Sequence, residues 1–292
     1  RTLYNGLLSG IAMSGDRFFY PNPLASDGRY EFNRGEGATR SPWFYCSCCP
    51  TNLVRFLPTV PGYVYASEDD WIYVNLFVAG KATVETASGI VELIQRTRYP
   101  WDGDVLISVN PVGTAEFALA VRIPGWARDK PVPSDLYQYI DTDEDSSSMP
   151  LTITVNGTPI DVTADCGLVS GWVVIRRRWC RNDMVHIHLP MPVRRVVSHD
   201  AVLSNRGKVA VERGPLVFCA EGVDHDGTAL DLTIDDGELL TAAFEPKLLG
   251  GITTIRRDSE GKRRALKLIP YFAWSHRGTG EMAVWLRRKS SQ

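Results

Sequence analysis

From residue 62 onward, short runs rich in aromatic and β-branched residues recur at close intervals, each bounded by Gly, Pro, Asn or Asp. This punctuation constrains the fold more than any other feature, because runs so short bury a face by pairing in sheets rather than as helices. Strands are predicted over 64–66, 71–78, 81–86, 90–99, 105–109, 117–123, 151–155, 171–177 and 184–189. Past Pro190-Met191-Pro192 they resume over 193–197, 208–212, 216–220, 243–248, 252–256, 265–270 and 282–286. Asn156-Gly157 and Trp101-Asp102-Gly103 read as tight turns. The pattern is that of one or two antiparallel β-sandwiches. Within it, 129–150 is polar and acidic, with Asp141-Thr142-Asp143-Glu144-Asp145, and reads as a solvated insertion loop.

The first sixty residues have a different texture. Leu3, Tyr4, Leu7, Leu8 and Ile11 fall at helical spacing, which predicts a helix over 3–13 with a buried stripe, ended by Ser14-Gly15-Asp16. The chain opens without a methionine and without the basic-then-apolar layout of a signal peptide, so it is expected to begin inside a longer protein. Two prolines keep Arg17-Phe18-Phe19-Tyr20-Pro21-Asn22-Pro23-Leu24 from being helical. Its aromatics suit a core, or, for Tyr20, a hydroxyl presented to a pocket. With 292 residues, 44% hydrophobic and 23% charged, the chain has material for about two domains. A formal charge of −2 gives no footprint for nucleic acid or an anionic membrane. No apolar run approaches the roughly 20 residues that span a bilayer.

Half of the six cysteines lie in Cys46-Ser47-Cys48-Cys49. Neighbouring residues on a strand face opposite ways, so thiols that share a target need a turn there. Pro50 suits the first turn of a helix, predicted over 51–57 and stopped by Pro58 and Pro61-Gly62. Unpaired N–H groups at a helix N-terminus favour thiolate, the form that attacks electrophiles and binds soft metals. Four readings stay open on the residues alone: a metal site, a nucleophile, a disulfide, or inert buried thiols. A closed zinc site needs four ligands, and no second Cys-x-x-Cys or Cys/His pair supplies the rest. Cys166, Cys180 and Cys219 are scattered, unlike a secreted disulfide scaffold, and a reactive cluster favours a reducing, cytoplasmic setting.

His186 and His188, two apart on a predicted strand, share a face that could chelate a metal or simply meet solvent. His199, His225 and His276 are expected in loops. Glu212-Arg213-Gly214-Pro215 reads as a turn with structural charges, and Arg176-Arg177-Arg178 and Arg263-Arg264 as solvated edges. P-loop, dinucleotide and Gly-x-Ser-x-Gly patterns are absent from the sequence, which argues against nucleotide enzymes and ordinary serine hydrolases.

Five blocks in order carry a resemblance: Phe18-Phe19-Tyr20-Pro21-Asn22-Pro23-Leu24, Trp43-Phe44-Tyr45-Cys46-Ser47-Cys48-Cys49-Pro50-Thr51-Asn52, Val121-Arg122-Ile123-Pro124-Gly125-Trp126, Glu212-Arg213-Gly214-Pro215-Leu216-Val217 and Pro270-Tyr271-Phe272-Ala273-Trp274-Ser275-His276-Arg277-Gly278. Together they resemble the C-terminal half of glycoside hydrolase family 127, the β-L-arabinofuranosidases. The resemblance implies a mainly β chain: 1–61 as the end of an (α/α)6 catalytic barrel, 62–192 as a first β-sandwich completed by 279–292, and 193–278 as a second. It implies a retaining glycosidase in which Cys48 is the nucleophile and, with Cys49, a ligand of Zn2+. Cys46 lies beside the site and Tyr20 contacts the sugar. The family's acid/base glutamate and remaining zinc ligands, a glutamate and a cysteine, lie upstream of the motif, so the chain is expected to be inactive by itself. The implied partner is a carbohydrate, with no nucleic acid or membrane, and a homodimer is a candidate assembly. The rival reading is a non-catalytic carbohydrate-binding β-sandwich protein with a structural cysteine metal site.

Overall fold

The computed structural model describes residues 1–140, 150–162, 168–169, 171–257 and 264–289. It is mostly strand, and its contacts divide it into two interleaved units.

One unit spans 58–130 and 147–191. Its six-stranded sheet runs Thr158–Ile160, Thr152–Val155, Asp183–His188, Asp104–Pro111, Gly89–Thr97 and Gly80–Thr86. Its five-stranded sheet runs Leu168–Val169, Trp172–Trp179, Ala115–Arg122, Trp71–Val74 and Tyr65–Glu68. The period of two explains the layering: Val105, Ile107 and Val109 point inward with Val185 and Ile187, and meet Ile72, Phe117, Leu119 and Val173 of the other sheet in one core. Each such aliphatic side chain contributes roughly 1.5–3 kcal/mol by leaving water. Trp179 is fully buried, stacks on Phe117 with centroids 5.6 Å apart, and donates its indole N–H to the Phe117 carbonyl at 3.1 Å. Asn156 (φ 52°) and Gly157 (φ 80°) form the expected turn between two paired strands. Gly103 is required for space, since a Cβ there would lie 1.8 Å from the Leu189 carbonyl oxygen. Pairing is not wholly antiparallel, because Trp71–Val74 runs parallel to Ala115–Arg122.

The other unit comprises 1–57, 131–146 and 192–292. It is built on one connected eleven-stranded sheet, whose main path is Thr233–Asp235, Leu286–Lys289, Lys208–Arg213, Leu216–Glu221, Leu266–Pro270, Ile252–Arg257 and Thr241–Glu245. Val193–Ser198, Tyr137–Tyr139, Met282–Ala283 and Ala25–Ser26 branch from it. Two expectations are corrected here. The end of the chain does not complete the first sandwich: Met282 and Ala283 pair with Glu221 and Ala220, and Leu286–Lys289 pairs with Lys208–Val209 and Thr233–Asp235. Buried Met282, Val284 and Leu286 follow the strand that precedes them into the same unit, as sequential strands tend to do. Nor is 129–150 a plain loop, since Tyr137–Tyr139 pairs with Val196–Ser198. Positions 141–149 lie outside the described residues.

The predicted helix over 3–13 is shorter and irregular. Leu3–Leu7 forms a π-turn and Leu8–Gly10 a 3₁₀ turn, while Ile11 is already extended and bridges Phe18. Gly6 and Gly10 weaken an α-helix here, and none of Leu3–Leu7 is fully buried. Asn5 ties the segment down, donating to the Pro215 carbonyl at 2.7 Å and accepting from Val217 N–H at 2.8 Å. Arg1 reaches the buried carboxylate of Glu212. Among the described residues, no helix is long and apolar enough to cross a membrane.

Candidate functional site

The α-helix begins at Cys48, earlier than expected, and ends at Phe56, continuing as a 3₁₀ helix over Leu57–Tyr63 instead of stopping at Pro58. Cys48 and Cys49 therefore occupy its first turn. Buried Pro50 sits where a missing N–H costs no helical hydrogen bond. Ser47 precedes the helix and makes no side-chain cap. Thr51 instead donates its hydroxyl to the Ser47 carbonyl at 2.9 Å, and the Asn52 amide donates to the Cys48 carbonyl at 3.0 Å. The first-turn N–H groups stay directed at the thiol end, where their positive dipole favours anionic sulfur.

A second segment brings Tyr20 to these thiols. Phe18 and Ser41 exchange backbone hydrogen bonds of 2.8 and 2.9 Å, which sets the aromatic segment beside the residues entering the cysteine turn. Asn33, fully buried, clamps both sides: it accepts from Tyr20 N–H at 2.7 Å and donates to the carbonyls of Phe18 at 3.2 Å and Thr39 at 2.8 Å. Below them, Phe19 stacks on Trp274 at 4.9 Å, and the buried Arg40 guanidinium lies 4.3 Å over Phe19. Arg40 donates to the carbonyls of Trp274 at 2.7 Å and Ser9 at 2.8 Å, and burial pushes its pKa down to about 10. Phe18 and Phe19 are thus core, and Tyr20 is half-buried with its hydroxyl directed outward.

The result is a compact set of groups. The Tyr20 hydroxyl is 2.9 Å from Cys48 Sγ and 3.9 Å from Cys46 Sγ. Cys48 Sγ is 3.9 Å from both Cys46 Sγ and Cys49 Sγ. The thiols are free and exposed, so the inert-core and disulfide readings do not describe this structure. Hydrogen bonding from Tyr20 first, then from Cys46 and Cys49, holds the Cys48 thiol below its ordinary pKa. The same bond to Cys48 pushes the Tyr20 pKa well above the usual phenol range, so the phenol stays protonated.

The donor set suits part of a zinc site. A tetrahedral zinc with bonds near 2.3 Å places its sulfurs about 3.8 Å apart, and the 3.9 Å separations here match that edge. Among the described residues no group of three His, Cys, Asp or Glu side chains is arranged to hold a metal by itself. Cys166 lies outside the described residues, Cys180 is exposed in the other unit, and Cys219 is buried. His186 and His188 share one partner, Asp104 Oδ1, at 3.1 and 3.0 Å, with His188 the main cause of a lowered Asp104 pKa. His225 and His276 are bound to backbone groups rather than to each other.

Arg34 is a member that sequence reasoning missed. Its guanidinium lies 4.4 Å over the Tyr20 ring. The available signal was the turn sequence Asn33-Arg34-Gly35-Glu36-Gly37 inside a loop otherwise read only as polar.

Three family models match in succession: the β-L-arabinofuranosidase GH127 catalytic domain over 1–62, the GH127 middle domain over 71–191, and the glycoside hydrolase family 127 C-terminal domain over 193–287. A non-reducing end β-L-arabinofuranosidase of Bifidobacterium longum subsp. longum is 32% identical over 321 aligned residues, covering 99% of this chain and 44% of its own. A solved GH127 β-arabinofuranosidase superposes with a TM-score of 0.86 at 39% identity, over 99% of this chain and 44% of that one. A GH127 β-L-arabinofuranosidase from Geobacillus stearothermophilus T6 gives 0.83 at 34%, over 98% and 45%. The chain thus spans a little under half the length of the relatives it matches. On these matches the chain belongs to glycoside hydrolase family 127.

Proposed function

We propose that the whole protein is a retaining glycoside hydrolase that removes β-L-arabinofuranosyl residues, with Cys48 as its nucleophile. One observation carries this reading: Cys48 Sγ stands at a helix N-terminus within 2.9 Å of the Tyr20 hydroxyl, exposed on the surface. The names of the relatives supply the sugar. Cys48 attacks the anomeric carbon as the bond to the leaving oxygen breaks, giving a glycosyl-enzyme; water then displaces the cysteine with net retention. Tyr20 holds the sulfur before attack and offers its hydroxyl edge to the sugar. Cys46 stands beside the pair. Zinc held by Cys48 and Cys49, completed by ligands from outside the described residues, would keep the thiol deprotonated at neutral pH. The leaving oxygen needs a proton from a carboxylic acid, and no carboxylate of this chain is assigned that role. In this reading residues 1–61 close an (α/α)6 barrel whose upstream part holds the acid and the remaining ligands. A reducing compartment, the cytoplasm, suits the free thiols.

The test is hydrolysis of p-nitrophenyl β-L-arabinofuranoside by full-length protein. Cys48→Ser is expected to lower kcat by at least about a thousandfold. Unchanged turnover in that variant overturns the cysteine mechanism, and turnover of other sugars only overturns the substrate. Metal analysis is expected to give about one zinc per chain.

A further inference from the structure

Tyr20 is half-buried, so core packing does not fix its ring, yet its hydroxyl must stay on one sulfur. The edge of the ring meets Phe44, with centroids 5.4 Å apart at 71°, and its face carries Arg34 at 4.4 Å. Arg34 is itself placed at a cost. It adopts φ 55°, the left-handed region that glycine accepts freely and other residues do not. The turn that imposes this is closed by Asn33 N–H to the Gly37 carbonyl at 3.2 Å and Glu36 N–H to the Asn33 carbonyl at 3.1 Å. Its first residue, Asn33, also grips the Tyr20 backbone. One anchor therefore fixes both the tyrosine and the cation above it. Arg34 is exposed, and among the described residues its guanidinium makes no ion pair and is ordered by its stacking on Tyr20.

We propose that Arg34 is a positioning residue of the thiol site: stacked on Tyr20, it fixes the ring so that the hydroxyl stays on Cys48 Sγ. This rests on the reading of Cys48 as the glycosidase nucleophile. Because Arg34 acts through Tyr20, its removal is expected to slow turnover without weakening substrate binding.

Arg34→Gly separates this role from a structural one, because glycine removes the cation while accepting the same backbone conformation. In full-length protein the variant is expected to unfold within about 2 °C of wild type. Its kcat on p-nitrophenyl β-L-arabinofuranoside is expected to fall about 3–5-fold, the upper scale of a lost exposed cation–π contact, with KM changed less than about twofold. Arg34→Lys, which keeps a cation over the ring, is expected to recover most of that loss. In a Tyr20→Phe background, where no hydroxyl is left to position, Arg34→Gly is expected to change kcat by less than about twofold. An equal loss in both backgrounds overturns the proposal, as does a loss matched by a fall in unfolding temperature. If wild-type protein hydrolyses nothing, the glycosidase reading fails, and the same cycle is read on the rate of iodoacetamide modification of Cys48 at one fixed pH. Coupling between Arg34 and Tyr20 there supports the positioning role, and additivity overturns it.

Discussion

Replacing Asn33 with alanine tests how the site is held together. The side chain is fully buried and makes three hydrogen bonds, one accepted from Tyr20 N–H and two donated to Phe18 and Thr39. Phe18 keeps a second partner, because its carbonyl also accepts from Ser41 N–H at 2.9 Å. The loss therefore falls on the Tyr20 N–H and the Thr39 carbonyl. An orphaned buried group costs about 1–3 kcal/mol, and because these two are only partly buried the pair is worth about 2–4 kcal/mol, the lower part of the doubled range. For a unit of this size that is a fall of roughly 6–12 °C in unfolding temperature. Asn33→Asp sharpens the test. It keeps the acceptor for Tyr20 but turns a carboxylate toward two carbonyls, so it is expected to be less stable than Asn33→Ala at neutral pH. Burial raises the pKa of such a carboxyl; its folded state then binds the proton more tightly, and the deficit shrinks as pH falls. Urea and thermal unfolding at pH 7.5 and 5 measure both effects. A loss below about 0.5 kcal/mol for Asn33→Ala, or an Asn33→Asp deficit that does not shrink on acidification, refutes the clamp.

His225 donates Nδ1–H to the Glu221 carbonyl at 2.7 Å and accepts Lys267 N–H at 3.1 Å through Nε2, and burial holds its pKa below the ordinary 6.5. The unfolded chain therefore takes up a proton first, and stability is expected to fall as pH drops below about 6.5 until the folded pKa is passed. His276 acts in the same direction. His225→Gln is expected to flatten this loss in urea titrations, and an unchanged slope counts against it. Gly103→Ala places a methyl 1.8 Å from the Leu189 carbonyl, and is expected to cost about 3 kcal/mol or more by thermal unfolding. A variant within about 1 kcal/mol of wild type would show that the two segments separate easily.

The strands of the middle unit were legible because alternation is strong where one face is buried, as along Asp183–His188. Short edge strands were not. Ala25–Ser26 and Tyr137–Tyr139 are too brief for any period, and the second lies in an acidic stretch. The one strand read over 282–286 is in fact two short ones, Met282–Ala283 and Leu286–Lys289, and periodicity does not say which neighbours a strand joins. The turn at Cys48 was legible from Pro50. The approach of Tyr20 to Cys48 was not, since it depends on the Phe18–Ser41 bridge and on a buried asparagine whose burial no local pattern announces. Arg34 stayed hidden for the same reason. A lone arginine in a polar loop reads as solvated until its turn is known.

The interleaving of the two units also orders the chain in time. Every residue of the middle unit lies before position 192, whereas the thiol segment rests on Trp274 through Phe19 and Arg40, and Ala25–Ser26 waits for Met282–Ala283. As the chain leaves a ribosome, Cys46, Cys48 and Cys49 emerge before the residues that support them. In between, an entire sandwich is complete and able to fold. The thiol site is thus among the last parts of this sequence to take shape, and its three thiols spend part of synthesis without Tyr20 held against them.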